Sequence, residues 1–170
     1  MKTVVLSFFL SFSMLMGFAQ EKTKQQIKEE KKLAEQKKVE ELLNSKDYEF
    51  VADWAYPQSG RSINLTSNPN FFRVKNDSVH SEMPFFGRAY AGVAYSGGGG
   101  LDFKGAMKDY SMTKGKKNYI IKTEVKGSSD NYSIMLTVYF DGGASLNINS
   151  NNRASISYRG MVTKTKPNMK

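Results

Sequence analysis

The densest pattern in the chain lies between Asn118 and Val162, where apolar side chains return at every second position. Tyr119, Ile121, Thr123 and Val125 form one run, and Tyr132, Ile134, Leu136, Val138 and Phe140 a second. Ala144, Leu146 and Ile148 form a third, and Ile156, Tyr158 and Met161 with Val162 a fourth. A period of two places alternate side chains on one face of a strand, so each run reads as a strand with a buried face. Between the runs stand Gly127-Ser128-Ser129-Asp130-Asn131, Asp141-Gly142-Gly143 and Asn149-Ser150-Asn151-Asn152, the residue types that tight reversals require. The stretch predicts a four-strand antiparallel meander.

The alternation extends upstream. Tyr48, Phe50, Ala52, Trp54 and Tyr56 alternate with Glu49, Val51, Asp53 and Ala55, which predicts a first strand whose aromatic face packs in the core. Ile63 to Thr66, Phe71 to Lys75 and Ser78 to Glu82 follow, the last two flanking Asn76-Asp77, a pair suited to a two-residue hairpin. Leu101 to Lys104 and Tyr110 to Thr113 alternate more weakly and predict two further strands. Ala91 to Gly100 ends in four glycines, expected as a mobile loop over one end of the domain. With turns about every ten residues, this is the pattern of an all-β protein: an antiparallel sandwich or barrel of about nine or ten short strands.

Glu21 to Asn44 breaks the pattern. It has no glycine or proline and consists almost wholly of Lys, Glu, Gln, Leu and Ala, which predicts a charged helix. Only Val39, Leu42 and Leu43 share one side, so its last two turns are expected to dock and its first half to stand as a solvated stalk. Ahead of it, Met1-Lys2, an apolar run to Met16 and Gly17-Phe18-Ala19 read as a secretory signal cleaved before Gln20. The run is shorter than the roughly 20 residues of a spanning helix. The layout is then a signal peptide over 1–19, a charged helix over 20–46, a single β domain over 47–163 and a disordered tail over 164–170, with no transmembrane span in the mature chain.

The chain has no cysteine, which excludes a lipoprotein anchor, disulfides and thiolate metal sites. Export without cysteine suits the periplasm or outer surface of a Gram-negative bacterium. Of the net charge of +9, +6 falls on residues 47–170, which carry sixteen basic and ten acidic side chains. Such a surface attracts acidic glycans, lipid headgroups or other polyanions. Export and the lack of an interleaved aromatic and basic pattern argue against nucleic acid.

At Ile63-Asn64-Leu65-Thr66-Ser67-Asn68, Phe86-Gly87-Arg88-Ala89-Tyr90 and Ser150-Asn151-Asn152-Arg153-Ala154-Ser155-Ile156-Ser157-Tyr158-Arg159-Gly160, the chain resembles the exported Bacteroidetes proteins grouped as domain of unknown function 4251. The resemblance covers about residues 35 to 163 with the motifs in order. It implies a bacterial envelope protein with a mostly β domain, and it brings no activity.

Chemistry is sparse. His80 is the only histidine, so any triad or zinc site must pass through it. Asp77, Asp130 and Asp141 fall in turns, and Asp53, Asp102 and Glu124 on the polar faces of strands, so no carboxylate pair of the kind a glycosidase needs stands out. Gly97 to Gly100 is followed by Leu101-Asp102 rather than the Lys and Ser or Thr of a phosphate-binding loop. No metal or other cofactor is expected. The best binding candidates are Arg88, Tyr90, Asn151, Asn152 and Arg153: an arginine fork pairs with carboxylate or phosphate, and amides beside an aromatic ring suit a sugar. Each also has a structural reading, as turn, ion pair or core. The sequence thus favours a non-catalytic binding or structural module of the envelope, its partner an acidic glycan, a lipid headgroup or another envelope protein. The alternatives are a hydrolase of envelope glycans and a lipocalin-like carrier whose lumen would be lined by Phe103, Ile134 and Leu136.

Overall fold

A computed structural model of the chain describes residues 23–58, 60–90, 99–128 and 130–165. The signal segment and nearly all of the expected tail and glycine loop lie outside the described residues. Two compact units divide the chain, Met1–Leu33 and Ala34–Lys170. The described part of the first is the opening of helix α1 (Lys24–Asn44), and the whole β structure belongs to the second.

Among the described residues nine strands form that structure: β1 (Asp47–Pro57), β2 (Ile63–Asn64), β3 (Phe71–Lys75), β4 (Ser78–Pro84), β5 (Gly100–Lys114), β6 (Asn118–Lys126), β7 (Asn131–Tyr139), β8 (Gly143–Ser150) and β9 (Ile156–Lys164). All pairings are antiparallel, and β9 returns to β1 from Tyr48↔Lys164 to Pro57↔Ile156. This closes an eight-strand barrel, β1-β3-β4-β5-β6-β7-β8-β9, with β2 as an extra strand on β1. Closure of β9 onto β1 joins the first and last strands of the wall, the usual answer to the aggregation hazard of open sheets.

The barrel's interior is filled. Tyr48, Phe50, Leu146 and Tyr158 are 0 % exposed, and Phe103, Ile134 and Leu136 lie between 1 % and 6 %. A lumen wide enough for water would leave touchable surface on its lining, and these side chains have almost none. An eight-strand barrel is just narrow enough to be filled this way. The carrier reading lacks the unfilled lumen it requires. The last turns of α1 add Val39 and Leu43 to the core, and Glu40 accepts a hydrogen bond from the Tyr119 hydroxyl at 2.7 Å.

Two bulges set the differences from the sequence pattern. In β1 the register to β9 slips between Ala52↔Gly160 and Trp54↔Arg159, so Asp53 is an extra residue. One extra residue turns everything beyond it to the other face. Tyr48, Phe50 and Ala52 point inward, but the next inward side chain is Ala55; Trp54 and Tyr56 stand outside, 38 % and 40 % exposed. The expectation that they belong to the core is corrected. In β5 a bulge at Asp109 and Tyr110, with Asp109 at φ 50°, lets one long strand replace the two expected. In β9 the inward positions are Ile156, Tyr158, Gly160 and Val162, and Met161 is 52 % exposed.

The β1 bulge coincides with a change of partner. β1 pairs with β3 over Asp47 to Phe50 and with β2 over Trp54 and Ala55. Ala52, between them, has no strand partner on that edge. The buried side chain of Asn70 takes its place: Oδ1 accepts from Ala52 N at 2.8 Å, and Nδ2 donates to Ala52 O at 3.0 Å and Asn68 O at 2.9 Å. On the opposite edge Gly160 faces Ala52, and a Cβ there would overlap the Val51 carbonyl oxygen and lie 2.7 Å from Ala52 Cα.

Candidate functional site

The five residues singled out from the sequence meet at one end of the barrel. Ala89 and Arg153 form an antiparallel bridge; Tyr90 N donates to Asn152 O at 2.7 Å and Ala154 N to Arg88 O at 2.9 Å. Since β4 and the β8–β9 connection stand on opposite sides of the barrel, the segment from Phe85 to Tyr90 crosses its mouth as a strap. Arg153 ties the β8–β9 connection to β5 and to the strap: Nη1 donates to Gly100 O of β5 at 2.6 Å, and the guanidinium lies 5.2 Å from the centre of the Phe85 ring. Arg88, Asn151 and Tyr90 are exposed, Tyr90 at 59 %, while Asn152 and Arg153 are half-buried. Arg153→Met should therefore cost about 1.5–3 kcal/mol, the range for a hydrogen bond from a charged donor. Urea denaturation checks this, and a loss below half a kcal/mol would show that the strap holds without this tie.

A carboxylate pair absent from the sequence reading appears on the outer wall. Glu82 of β4 lies directly opposite Asp102 of β5, and His80 Nε2 is 2.9 Å from Glu82 Oε1. Burial, with Glu82 beside it, raises the Asp102 carboxyl above its usual range, while Arg153 draws it down. The pair is invisible in sequence because twenty residues separate its members and only the strand register joins them. Both acids line an open depression of about 560 Å³ on the outer face, and Glu82 is half-exposed. Among the described residues no group of three or more His, Cys, Asp or Glu could hold a metal ion, and no helix is long and apolar enough to cross a membrane.

A cleft of about 830 Å³ opens near the other end, where β1, β3, β4, β5 and β9 contribute side chains. Arg73, His80 and Lys104 form one cross-strand row, and Lys75 and Lys164 flank β1 at Asp47 and Tyr48. Arg73 is committed to buried Glu49, donating from Nε to Oε2 at 2.8 Å. Lys75, Lys104 and Lys164 are exposed and make no ion pair among the described residues. The cleft's one acid is Asp47, whose buried Oδ1 has no hydrogen-bond partner among the described residues. Partial burial, then the positive charge of Lys104, holds His80 below its usual pKa against the pull of Glu82. These lysines escaped notice because they come from three strands spread over ninety residues of sequence.

The profile of a domain of unknown function, DUF4251, matches residues 30–162. Among solved structures, the chain is similar to the crystal structure of a DUF4251 family protein from Bacteroides eggerthii DSM 20697, with a TM-score of 0.60 and 22 % identity over 77 % of this chain and 88 % of that one. At that identity the likeness speaks for the fold alone. A search of curated proteins finds no match. With most of its length matched by the family's profile, the chain belongs to the DUF4251 family.

Proposed function

We propose that this is an exported, non-catalytic binding module of the bacterial envelope whose basic cleft takes an anionic group, carried by an acidic glycan or a lipid headgroup. The observation that carries this reading is the set of three lysines, Lys75, Lys104 and Lys164, around one cleft, none in an ion pair among the described residues. An isolated surface lysine is solvated and means little; three converging ones raise the local potential for an anion.

His80 is a built-in reporter, being the only histidine and lining the cleft. Its folded pKa is below its unfolded one, so its proton opposes folding. The contribution of His80 to stability is thus fully present above the ordinary imidazole range and is lost as pH falls through it. A bound anion favours the imidazolium and should raise the His80 pKa.

The test titrates the His80 ring resonances by NMR with polygalacturonate, with vesicles containing phosphatidylglycerol, and with a neutral dextran as control. Polygalacturonate or the vesicles should raise the His80 pKa and bind less tightly as salt increases, and the two arms separate glycan from headgroup. Lys75→Glu with Lys104→Glu should weaken binding at least tenfold while leaving the unfolding temperature nearly unchanged. An unshifted His80 with both ligands sinks the proposal. Release of reducing ends from the glycan, abolished by Glu82→Gln, would instead favour a hydrolase built on the Glu82–Asp102 pair.

A further inference from the structure

The bulge at Asp53 has a product besides the turned face. It brings Trp54 and Tyr56 onto the outer wall beside β9 and β8, at the side of an open groove of about 1010 Å³. Tyr139, at the end of β7 and 45 % exposed, lines the same groove. Strands lie about 4.8 Å apart, so the three steps from β1 through β9 and β8 to β7 separate the aromatic sides by about 14 Å. Between them the outward positions are Gly143 and Ser145 on β8, both small, and Arg159 and Met161 on β9, while Ala144 and Gly160 point into the barrel.

Polar groups are interleaved with the aromatics. Arg159 stands opposite Trp54 on β9, exposed and without an ion pair or side-chain hydrogen bond among the described residues. Asp53 precedes Trp54 in the chain, and Asp141 borders the Tyr139 side, where its Oδ1 accepts from Gly143 N at 3.0 Å. The carboxylates Asp53 and Asp141 line the groove together with the aromatics, whereas the core of a protein–protein interface is depleted of such acids. Aromatic faces that take C–H groups, set among fork-like donors and carboxylate acceptors that take paired hydroxyls, fit a pyranose chain.

We propose that this groove is a second ligand site, separate from the basic cleft, that binds a neutral oligosaccharide by stacking its rings on Trp54, Tyr56 and Tyr139, with Arg159 holding hydroxyls. An open groove with aromatics on two sides takes the interior of a glycan strand, not only its end.

Trp54 is the only tryptophan, so its fluorescence reports on this site alone. The full chain is titrated with β-1,4-linked glucose oligomers and with N-acetylglucosamine oligomers at low and high salt. A saturable blue shift, tightening with oligomer length and unaffected by salt, is expected. Tyr56→Ala and Arg159→Ala keep the fluorophore and should each weaken binding at least tenfold; both side chains lie outside the core, so their unfolding temperatures should match the parent's. Trp54→Ala, followed by calorimetry, should abolish binding. No spectral change with either oligomer series overturns the proposal. So does a blue shift that follows protein concentration without sugar, since a second copy of the chain would then be covering the groove. Because the expected signal does not depend on salt and does not involve His80, failure here and failure at the basic cleft are read separately.

Discussion

Asn70→Ala should lower the unfolding free energy by about 2–6 kcal/mol, enough to unfold a large share of a domain whose total stability is about 5–15 kcal/mol. The reason is local to β1. Ala52 is fully buried and its backbone N–H and C=O lie where β1 has left β3 and not yet met β2. The Asn70 amide supplies both partners, one acceptor and one donor, as a neighbouring strand would. Removing it strands two buried backbone groups, each costing about 1–3 kcal/mol. Asn70→Asp keeps the acceptor for Ala52 N–H but loses both donors and adds a buried charge, so it should be at least as damaging at neutral pH. Chemical denaturation of both variants measures the effect. A loss under 1 kcal/mol would mean that water replaces the amide and that the strand switch needs no side chain.

Gly160→Ala should destabilise at or above the upper end of the about 1–3 kcal/mol usual for overpacking a core. The methyl group would run into backbone, the Val51 carbonyl and Ala52 Cα, and backbone cannot step aside as a flexible side chain can. Ala52, Gly160 and Ala144 form a cross-strand row of the smallest side chains, which lets β1 and β9 approach closely beside the bulge. Circular dichroism and thermal melting of the purified variant decide the matter. Near-parental stability would show that β1 can draw back from β9, and would make the seam between the first and last strands softer than its packing implies.

Much of the wall was legible in the sequence because most of it obeys a period of two without interruption. From Tyr119 to Ile148 every apolar residue of the three runs that points inward does so by simple alternation, and the turns fall at Gly, Asp and Asn. Legibility ended where one inserted residue reversed the faces. Nothing in Ala52-Asp53-Trp54-Ala55 marks Asp53 as supernumerary; the bulge is enforced by β9, more than a hundred residues later in the chain. The same limit applied to the surfaces. Arg88 and Arg153 were visible as residue types, but their meeting across the mouth depends on the order of strands around the barrel. The basic cleft and the aromatic groove are likewise products of closure: each gathers side chains from strands that only the completed cylinder brings side by side.

That closure also orders events in time. Strands β4 to β9 each find a partner in the strand just made and β3 pairs back to β1, but the long edge of β1 pairs with β9. A nascent chain emerging from the ribosome can therefore build the meander hairpin by hairpin, yet the edge of β1 that faces β9 stays unmatched until residue 164 has been synthesised. The final step joins segments more than a hundred residues apart, the kind of long-range contact that slows folding. Until then the sheet is an open ribbon, and closing it is the last step that the order of synthesis allows.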